Sequence, residues 1–323
     1  MPYAIRIHVT GGPEVLRWEE IAVGQPGPGE VLVRNTAVGL NFVDAYYRSG
    51  LYPIALPATI GREGAGVVEA VGPKVKEFKP GDRVAYTDPN GSYAEVLLRP
   101  AERLVKIPAG VSDKTAAAMM LKGMTAQFLL RRTYRVKKGD TILVHAAAGG
   151  VGQILCQWAK YLGAKVIGTV GSDAKAALAT RAGCKHVLVT SRDKVSERVK
   201  EITRGAGVPV VYDGVGKDTF MDSLDCLAPL GLMVTYGNAS GAVPPFSPTV
   251  LTQKGSLFLT RPTLGTYIAK REDLVRTARE LFAVVKKGTV KISVNQTYPL
   301  REAAQAHRDL ESRKTTGSTV LLP

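Results

Sequence analysis

Cysteine and histidine are both scarce, with three of the first and four of the second in 323 residues. Cys156, Cys184 and Cys226 are odd in number and widely spaced. They supply neither a disulfide framework nor a C-x-x-C zinc pattern, and Cys156 and Cys226, in apolar helix-like surroundings, read as small core residues. His8, His145, His186 and His307 are scattered and suggest no ligand set. No apolar run approaches the length of a membrane span, and the opening MPYAIRIHVTGG has no long apolar h-region, so no secretory signal is expected. A cytosolic protein follows from these absences. Acidic residues are also in deficit, 28 against 43 lysines and arginines, for a net charge of +15. That excess can steer an anionic cofactor. The basic residues are dispersed, however, with short clusters only at Arg131-Arg132 and Lys137-Lys138, and no nucleic-acid motif accompanies them. A nucleic-acid partner is therefore not expected.

What the chain does have is a glycine turn in a telling context. Thr141 to Gly171, TILVHAAAGGVGQILCQWAKYLGAKVIGTVG, reads as strand, turn, helix, strand. Val151, Ile154, Leu155, Trp158, Ala159 and Leu162 fall on one stripe at helical spacing. Gly163 can close that helix in the left-handed conformation, and Ala164 to Val170 then reads as a second buried strand. A glycine turn at a helix N-terminus lets a pyrophosphate approach the backbone. The match to G-x-G-x-x-G is imperfect: Ala147 takes the first glycine position, Gly149 and Gly152 the second and third. The flanking strand and helix supply the context that the pattern alone lacks. Gly149, Gly150, Val151 and Gly152 are thus cofactor-binding candidates.

The second strand ends at Gly171-Ser172, followed by Asp173, Ala174 and Lys175. An NAD-type site carries an acid near this place. Ser172 and Lys175 suit a 2′-phosphate better than a bare diol, so NADPH is expected. Asp173 is the residue that argues the other way.

The rest of the chain divides into three. Residues 1–124 hold short strand-like runs (Tyr3 to Val9, Glu30 to Gly39, Gly64 to Val71, Arg83 to Tyr86, Ser92 to Leu98) broken by Gly and Pro, which predicts a mainly β domain. Residues 125–262 alternate strands and helices, which predicts a doubly wound parallel sheet. Residues 263–323 carry an amphipathic helix over Arg271 to Lys287, a second over Leu300 to Glu311 and a last strand, Ser318 to Leu322, expected to return to the β domain. The fold class is therefore α/β, a mainly β domain joined to a Rossmann domain. Ser256 to Thr260 is apolar and β-prone. As an exposed edge strand of the parallel sheet it invites pairing with its copy, so a homodimer is expected.

Several motifs converge on one family. Gly61-Arg62-Glu63-Gly64-Ala65-Gly66-Val67-Val68-Glu69-Ala70-Val71-Gly72, Gly81-Asp82-Arg83-Val84, Asn41-Phe42-Val43-Asp44, Ser49-Gly50-Leu51-Tyr52-Pro53, His145 to Gly152 and Tyr236-Gly237-Asn238-Ala239-Ser240-Gly241 resemble the medium-chain dehydrogenase/reductase superfamily. Within it the chain is similar, end to end, to bacterial NADPH-dependent members of the zinc-free quinone oxidoreductase, or zeta-crystallin-like, branch. The resemblance implies a GroES-like catalytic domain, a Rossmann domain and an active site in the cleft between them. In zinc-binding alcohol dehydrogenases a cysteine stands at the position of Asn41 and a histidine at that of Arg62, and a cysteine cluster is expected near residues 85–105. None of these is present, so no metal is expected. Alcohol oxidation needs a Lewis acid or a placed proton relay. A quinone or other conjugated carbonyl delocalises the charge that hydride transfer creates and is the easier acceptor.

The resemblance also implies roles. Asn41 is expected to donate a hydrogen bond to the cofactor amide or the developing oxyanion, or else to cap a turn. Asp44 is expected either to fix the local hydrogen bonds or to cap a helix. Tyr46 and Tyr52 line the site, stack on a flat acceptor or supply a proton, or else pack in the core. Thr125 is expected near the nicotinamide, or else as a hinge residue where the domains join. Gly216, Gly237 and Asn238 border the riboses, since ligands bind at the C-terminal ends of parallel strands. Arg261, Thr263 and Arg313 contact the cofactor. Relatives place a tyrosine near Thr190 to hold the 2′-phosphate; here Arg192 stands close enough to substitute. The leading reading is an NADPH:quinone reductase. Two others stay open, an NADPH-dependent enone, alkenal or enoyl-thioester reductase and an NADPH-binding protein that binds RNA with little turnover.

Overall fold

The computed structural model describes all 323 residues, Met1–Pro323, and divides into two compact units. Unit 1 comprises Met1–Met124, Ile268–Lys286 and Ile292–Pro323, and unit 2 comprises Thr125–Tyr267 and Lys287–Lys291. No helix is long and apolar enough to cross a membrane, and the three cysteines are free and buried.

Unit 1 is built mainly on antiparallel pairings, with one parallel pair of strands near the C-terminal end of the chain. β1 (Tyr3–Ile7), β2 (Arg17–Glu20), β3 (Glu30–Leu40), α1 (Phe42–Ser49), β4 (Ala58–Thr59), β5 (Glu63–Val71), β6 (Arg83–Thr87), β7 (Val96–Pro100) and β8 (Leu104–Lys106) lead into α2 (Asp113–Phe128). The long strand β3 organises the larger sheet, pairing with both β5 and β7. Alternation along its first part puts Val31, Val33 and Asn35 inside, as a strand with one buried face requires, and its last four residues, Ala37 to Leu40, are all buried. The expected strand from Ser92 begins only at Val96. Its place is taken by irregular backbone whose carbonyls, Ser92 O and Ala94 O, accept from Asn35 Nδ2 at 3.1 and 2.8 Å in place of ladder partners. α2 gives way after Phe128 to a π-helical turn, Leu129–Thr133. The Leu129 carbonyl is drawn off by the Tyr212 hydroxyl at 3.1 Å.

Unit 2 contains the segment singled out from the sequence: β9 (Thr141–Val144), α3 (Gly150–Tyr161) and β10 (Lys165–Val170). Then come α4 (Asp173–Arg181), β11 (His186–Val189), α5 (Val195–Ile202), β12 (Val208–Asp213), α6 (Phe220–Asp225), β13 (Leu227–Thr235), α7 (Thr249–Gln253), β14 (Phe258–Thr260) and α8 (Leu264–Tyr267). The strands form one parallel sheet in the order β11-β10-β9-β12-β13-β14. The order reverses between β9 and β12, the switch point where such sheets bind ligands. Leu143, Ile167, Leu188, Val211 and Met233 from five strands pack with Val199, Phe220 and Leu224 from the helices. Each such buried side chain contributes roughly 1.5–3 kcal/mol.

The chain re-enters unit 1 at Ile268, later than the expected residue 263. Residues of α8 are held on unit 2: Tyr267 stacks on Phe128 with ring centroids 4.3 Å apart, and its hydroxyl accepts from Thr133 at 2.9 Å. After α9 (Arg271–Lys286), residues 287–291 belong to unit 2. β15 (Val294–Pro299), α10 (Ala303–Glu311) and β16 (Ser318–Leu322) then complete unit 1. β16 pairs antiparallel with β3. Leu300, Ala303 and Ala306 pack with Ile5, Ile7 and Leu40.

Candidate active site

Two groups of expected residues lie in different units. In unit 2, every one except Thr125 follows the C-terminal end of a parallel strand. Gly149 to Gly152 follow β9, Ser172 and Lys175 follow β10, Thr190 follows β11, Gly216 follows β12, Gly237 and Asn238 follow β13, and Arg261 and Thr263 follow β14. Thr125 lies buried in α2, and Arg313 lies in unit 1, just beyond α10.

The glycine turn has the shape that close approach demands. Ala146, one residue before the expected first glycine position, adopts a left-handed φ of 51°, uncommon for a residue with a side chain and typical of functional turns. A Cβ on Gly152 would lie 2.3 Å from the Ala146 carbonyl oxygen and 2.8 Å from Ala147 Cα, so only glycine lets α3 start this near the strand. Gly149 is the N-cap of α3. The first N–H groups of that helix have no intrahelical partner and present positive dipole ends. Gln153 Nε2 donates to Ala148 O at 2.8 Å and holds the turn.

Beneath it runs a buried polar network. His145 Nδ1 meets Thr169 Oγ1 at 3.0 Å and His145 Nε2 meets Ser223 Oγ at 2.9 Å. Burial keeps His145 below the usual histidine range, despite Asp213 and Asp222 nearby. Asp213 Oδ1 accepts the N–H groups of Val215 and Gly216 at 2.7 and 3.1 Å, and Oδ2 accepts the Thr219 hydroxyl at 2.7 Å. These bonds shape the Gly214–Gly216 turn, where Gly216 has φ 92°. Arg261 Nη1 donates to Thr235 O at 2.9 Å, which ties the end of β14 to that of β13. Neither His145 nor Ser223 was singled out from the sequence as a site residue. The His145-to-Gly152 motif contained the first, but nothing in the sequence pairs it with Ser223.

The turn after β10 bears on cofactor choice. Ser172 is the N-cap of α4, and Asp173 and Lys175 lie in the first turn. Asp173 pairs with the Arg192 guanidinium. The acid that argued for a diol is thus matched by a cation from the next loop, and Thr190 lies beside it, its N–H bonded to Val170 O at 2.9 Å. This cation-bearing, hydroxyl-bearing edge fits a 2′-phosphate. The glycine turn and helix end fit a pyrophosphate.

The second group is in unit 1. Asn41 is the N-cap of α1; its N–H donates to Asp44 Oδ2 at 2.9 Å, and the Asp44 N–H returns to Asn41 O at 3.0 Å. Asn41 is thus the N-cap, and Asp44 sits at the third helical position with its carboxyl group on the cap N–H. Asn41 Nδ2 donates to Glu63 Oε1 at 2.9 Å and lies 3.5 Å from Gly39 O. So arranged, Asn41 Nδ2 commits one hydrogen to Glu63 and has only a long contact to Gly39 O for the other, so the donor role expected of it falls to that second hydrogen. Glu63 is fully buried and also accepts Lys122 Nζ at 2.5 Å and the Leu121 N–H at 2.7 Å. Tyr46 and Tyr52 meet edge to face at 5.3 Å, Phe42 flanks Tyr46 at 6.5 Å, and Tyr47 meets Tyr52 at 5.6 Å. These half-buried rings form an aromatic face on one helix and the loop after it. Arg62 lies over Tyr47 and pairs with Asp88.

Asp44 anchors a longer chain. Its Oδ2 also accepts the Tyr93 hydroxyl at 3.0 Å; Tyr93 meets His307 Nε2 at 3.1 Å, and His307 Nδ1 meets Arg48 Nη1 at 3.1 Å. Arg48 closes bidentately on Glu311 at 2.9 and 2.8 Å. Burial pushes the Asp44 carboxyl up to about 7 against its hydrogen bonds from Asn41 and Tyr93. Burial, with Arg48 alongside, pushes His307 down to about 3. Glu63, Lys122, Arg48, Tyr93 and His307 were not among the expected site residues. No group of three or more His, Cys, Asp or Glu side chains converges as a metal site would require.

A β unit and a parallel-sheet unit with these turns define a two-unit dehydrogenase/reductase of the dinucleotide-binding kind. Residues 27–109 match the alcohol dehydrogenase GroES-like domain and residues 150–282 the zinc-binding dehydrogenase family. A quinone oxidoreductase of Pseudomonas aeruginosa is 54% identical over 325 residues, covering 100% of both chains. A 2-haloacrylate reductase of a Burkholderia species is 49% identical, over 100% of this chain and 99% of its own. The crystal structure of Escherichia coli quinone oxidoreductase complexed with NADPH superposes with a TM-score of 0.98 at 49% identity, over 99% of this chain and 100% of that one. The chain belongs to the quinone oxidoreductase family of the medium-chain dehydrogenase/reductase superfamily.

Proposed function

We propose that this protein is an NADPH:quinone oxidoreductase that works without a metal. The gathering of the glycine turn and five further loops at one edge of the parallel sheet carries this reading, together with full-length identity to quinone oxidoreductases. Bound there, NADPH supplies the hydride. The α3 N-terminus and Gly149 to Gly152 receive the pyrophosphate, Ser172, Lys175, Thr190 and Arg192 the 2′-phosphate, and Gly216, Gly237, Asn238, Arg261 and Thr263 the remaining sugar and nicotinamide. Tyr46 and Tyr52 offer edge and face to a flat acceptor, and Asn41 fixes the start of the helix that carries Tyr46. Thr125 and Arg313 are retained as cofactor contacts on the resemblance alone. The protein acts in the cytoplasm as a homodimer; β14 ends the sheet and Phe258 on it is 60% exposed, which supports edge pairing.

A second reading has one specific support, the 49% identity to a 2-haloacrylate reductase, whose named substrate is a conjugated acid. Turnover of simple benzoquinones is compared with that of alkenals and haloacrylates, with NADPH and after exhaustive chelation. Quinone turnover that survives chelation is expected. Preference for the acrylate panel, or activity lost to chelator and restored by zinc, would overturn the assignment.

A further inference from the structure

The chain from Glu311 to Asp44 has only one consistent polarity. A guanidinium donates and cannot accept. Arg48 Nη1 therefore requires His307 Nδ1 to be a bare acceptor. The neutral ring then carries its hydrogen on Nε2 and donates it to the Tyr93 oxygen. The Tyr93 hydroxyl has to donate onward, and the oxygen it reaches is Asp44 Oδ2. That oxygen also accepts the Asn41 N–H, so both its lone pairs are engaged. Asp44 Oδ1 is buried and has no partner.

The charges around this chain balance without Asp44. Arg48 is matched by Glu311 and Lys122 by Glu63. His307, facing Arg48, is neutral. Asp44, Arg48, Tyr93 and His307 are all at least 98% buried. An ionised Asp44 would be an extra buried anion with one oxygen unsolvated, which is costly.

We propose that Arg48, His307 and Tyr93 are positioning residues that set the polarity of Asp44: they commit its Oδ2 to accepting and leave Oδ1 as the atom that carries the carboxyl proton. The upward displacement of Asp44 agrees with this geometry. The chain is a clamp and not a conduit, because it ends at Arg48, which has no proton to give. It bears on turnover through the reading proposed above, in which α1 belongs to the reaction site and each reduction takes up one proton with its hydride.

The test is an infrared measurement on the protein without added cofactor, so a failed quinone assay leaves it intact. The wild type minus Asp44→Asn difference spectrum at about pH 6 should show the carbonyl stretch of a protonated carboxyl, shifted in heavy water. His307→Gln keeps an acceptor towards Arg48 and a donor towards Tyr93, and the pH at which the band vanishes should stay put. His307→Glu accepts at both ends and turns the Tyr93 hydroxyl away from Asp44; Tyr93→Phe removes that hydroxyl. Both deprive the carboxylate of a charge-assisted hydrogen bond, so the band should persist about one to two pH units higher. Should His307→Glu fail to fold, Tyr93→Phe and His307→Gln carry the comparison. Absence of the band in the wild type overturns the proposal, as does a shift in His307→Gln equal to that in Tyr93→Phe. With a quinone, the pH profile of kcat should move in Tyr93→Phe in the same direction and hold in His307→Gln, a pattern that mere structural damage would not produce.

Discussion

Asp44 and His307 stand at the two ends of Tyr93 and titrate in opposite senses, which makes the pH dependence of stability a direct probe of this chain. In the unfolded protein the carboxyl releases its proton near its ordinary 3.8; in the fold it holds it up to about 7. Between those values the folded state binds one proton more, so the stability Asp44 contributes falls as pH rises. His307 runs the other way. Its ordinary value of 6.5 drops to about 3 in the fold. Between about 3 and 6.5 the unfolded chain binds the extra proton, so the stability His307 contributes is present above that window and lost as pH falls through it. Each slope is at most about 1.4 kcal/mol per pH unit, and across their overlap, from about pH 4 to 6.5, the two cancel in the wild type.

Single substitutions should expose the hidden slopes. His307→Gln keeps the hydrogen bonds and removes the titration. Taken from about pH 6.5 to 4.5, its unfolding free energy should rise by about 2–3 kcal/mol relative to the wild type. Asp44→Asn should show the mirror image, gaining a similar amount relative to the wild type as pH rises over the same interval. Urea unfolding at the two pH values reads both differences, provided the m-values agree. Offsets that do not change with pH in either variant would refute the reasoning, and so would two slopes of the same sign.

Further perturbations test the other elements. Lys122→Met strands the buried Glu63 carboxylate, and breaking such a pair costs about 3–5 kcal/mol; Glu63→Gln combined with it should recover part of the loss in denaturant unfolding, whereas a cost near zero would mean the pair is not formed. Gly152→Ala drives a Cβ to 2.3 Å from the Ala146 carbonyl oxygen and should weaken NADPH by about tenfold or more; unchanged affinity in a fluorescence titration counts against the turn as its site. Lys175→Ala should weaken NADPH roughly 10- to 100-fold and NADH little, since a charge-assisted hydrogen bond to phosphate is worth about 1.5–3 kcal/mol; equal loss of kcat/KM for both cofactors removes this turn from 2′-phosphate recognition. Phe258→Lys on the edge strand should yield monomers by light scattering, and an unchanged dimer excludes pairing through β14.

What was legible in the sequence and what was not divide along physical lines. Periodicity and glycine punctuation are local, so β9, α3 and β10 could be read within a residue or two, as could the alternation that builds the six-stranded sheet. The start of β13 was not legible, because Leu227 pairs with Val208 ahead of a register shift, and an irregular ladder leaves no periodic trace. The cap on α1 was also within reach, since Asn41 and Asp44 sit at the spacing a capping pair requires. The buried chain was not. Arg48 and His307 are 259 positions apart, and Tyr93 and His307 are 214 apart; only the packing of α10 near α1 brings them together. His307 sits in an ordinary amphipathic helix, where the sequence offers a histidine and no partner. The direction of each hydrogen bond was still further out of reach. Residue types told that Asn41 could donate; Glu63, ion-paired with Lys122 and fully buried, decides where one of its two amide hydrogens goes. In the same way Arg48, which can only donate, decides the tautomer of His307, the direction of the Tyr93 hydroxyl and the single oxygen of Asp44 left to bear a proton. Polarity in this unit is thus passed from its cations inward, and a change of charge at Arg48 or Lys122 should alter the chemistry offered by Asp44 and Asn41 without touching either.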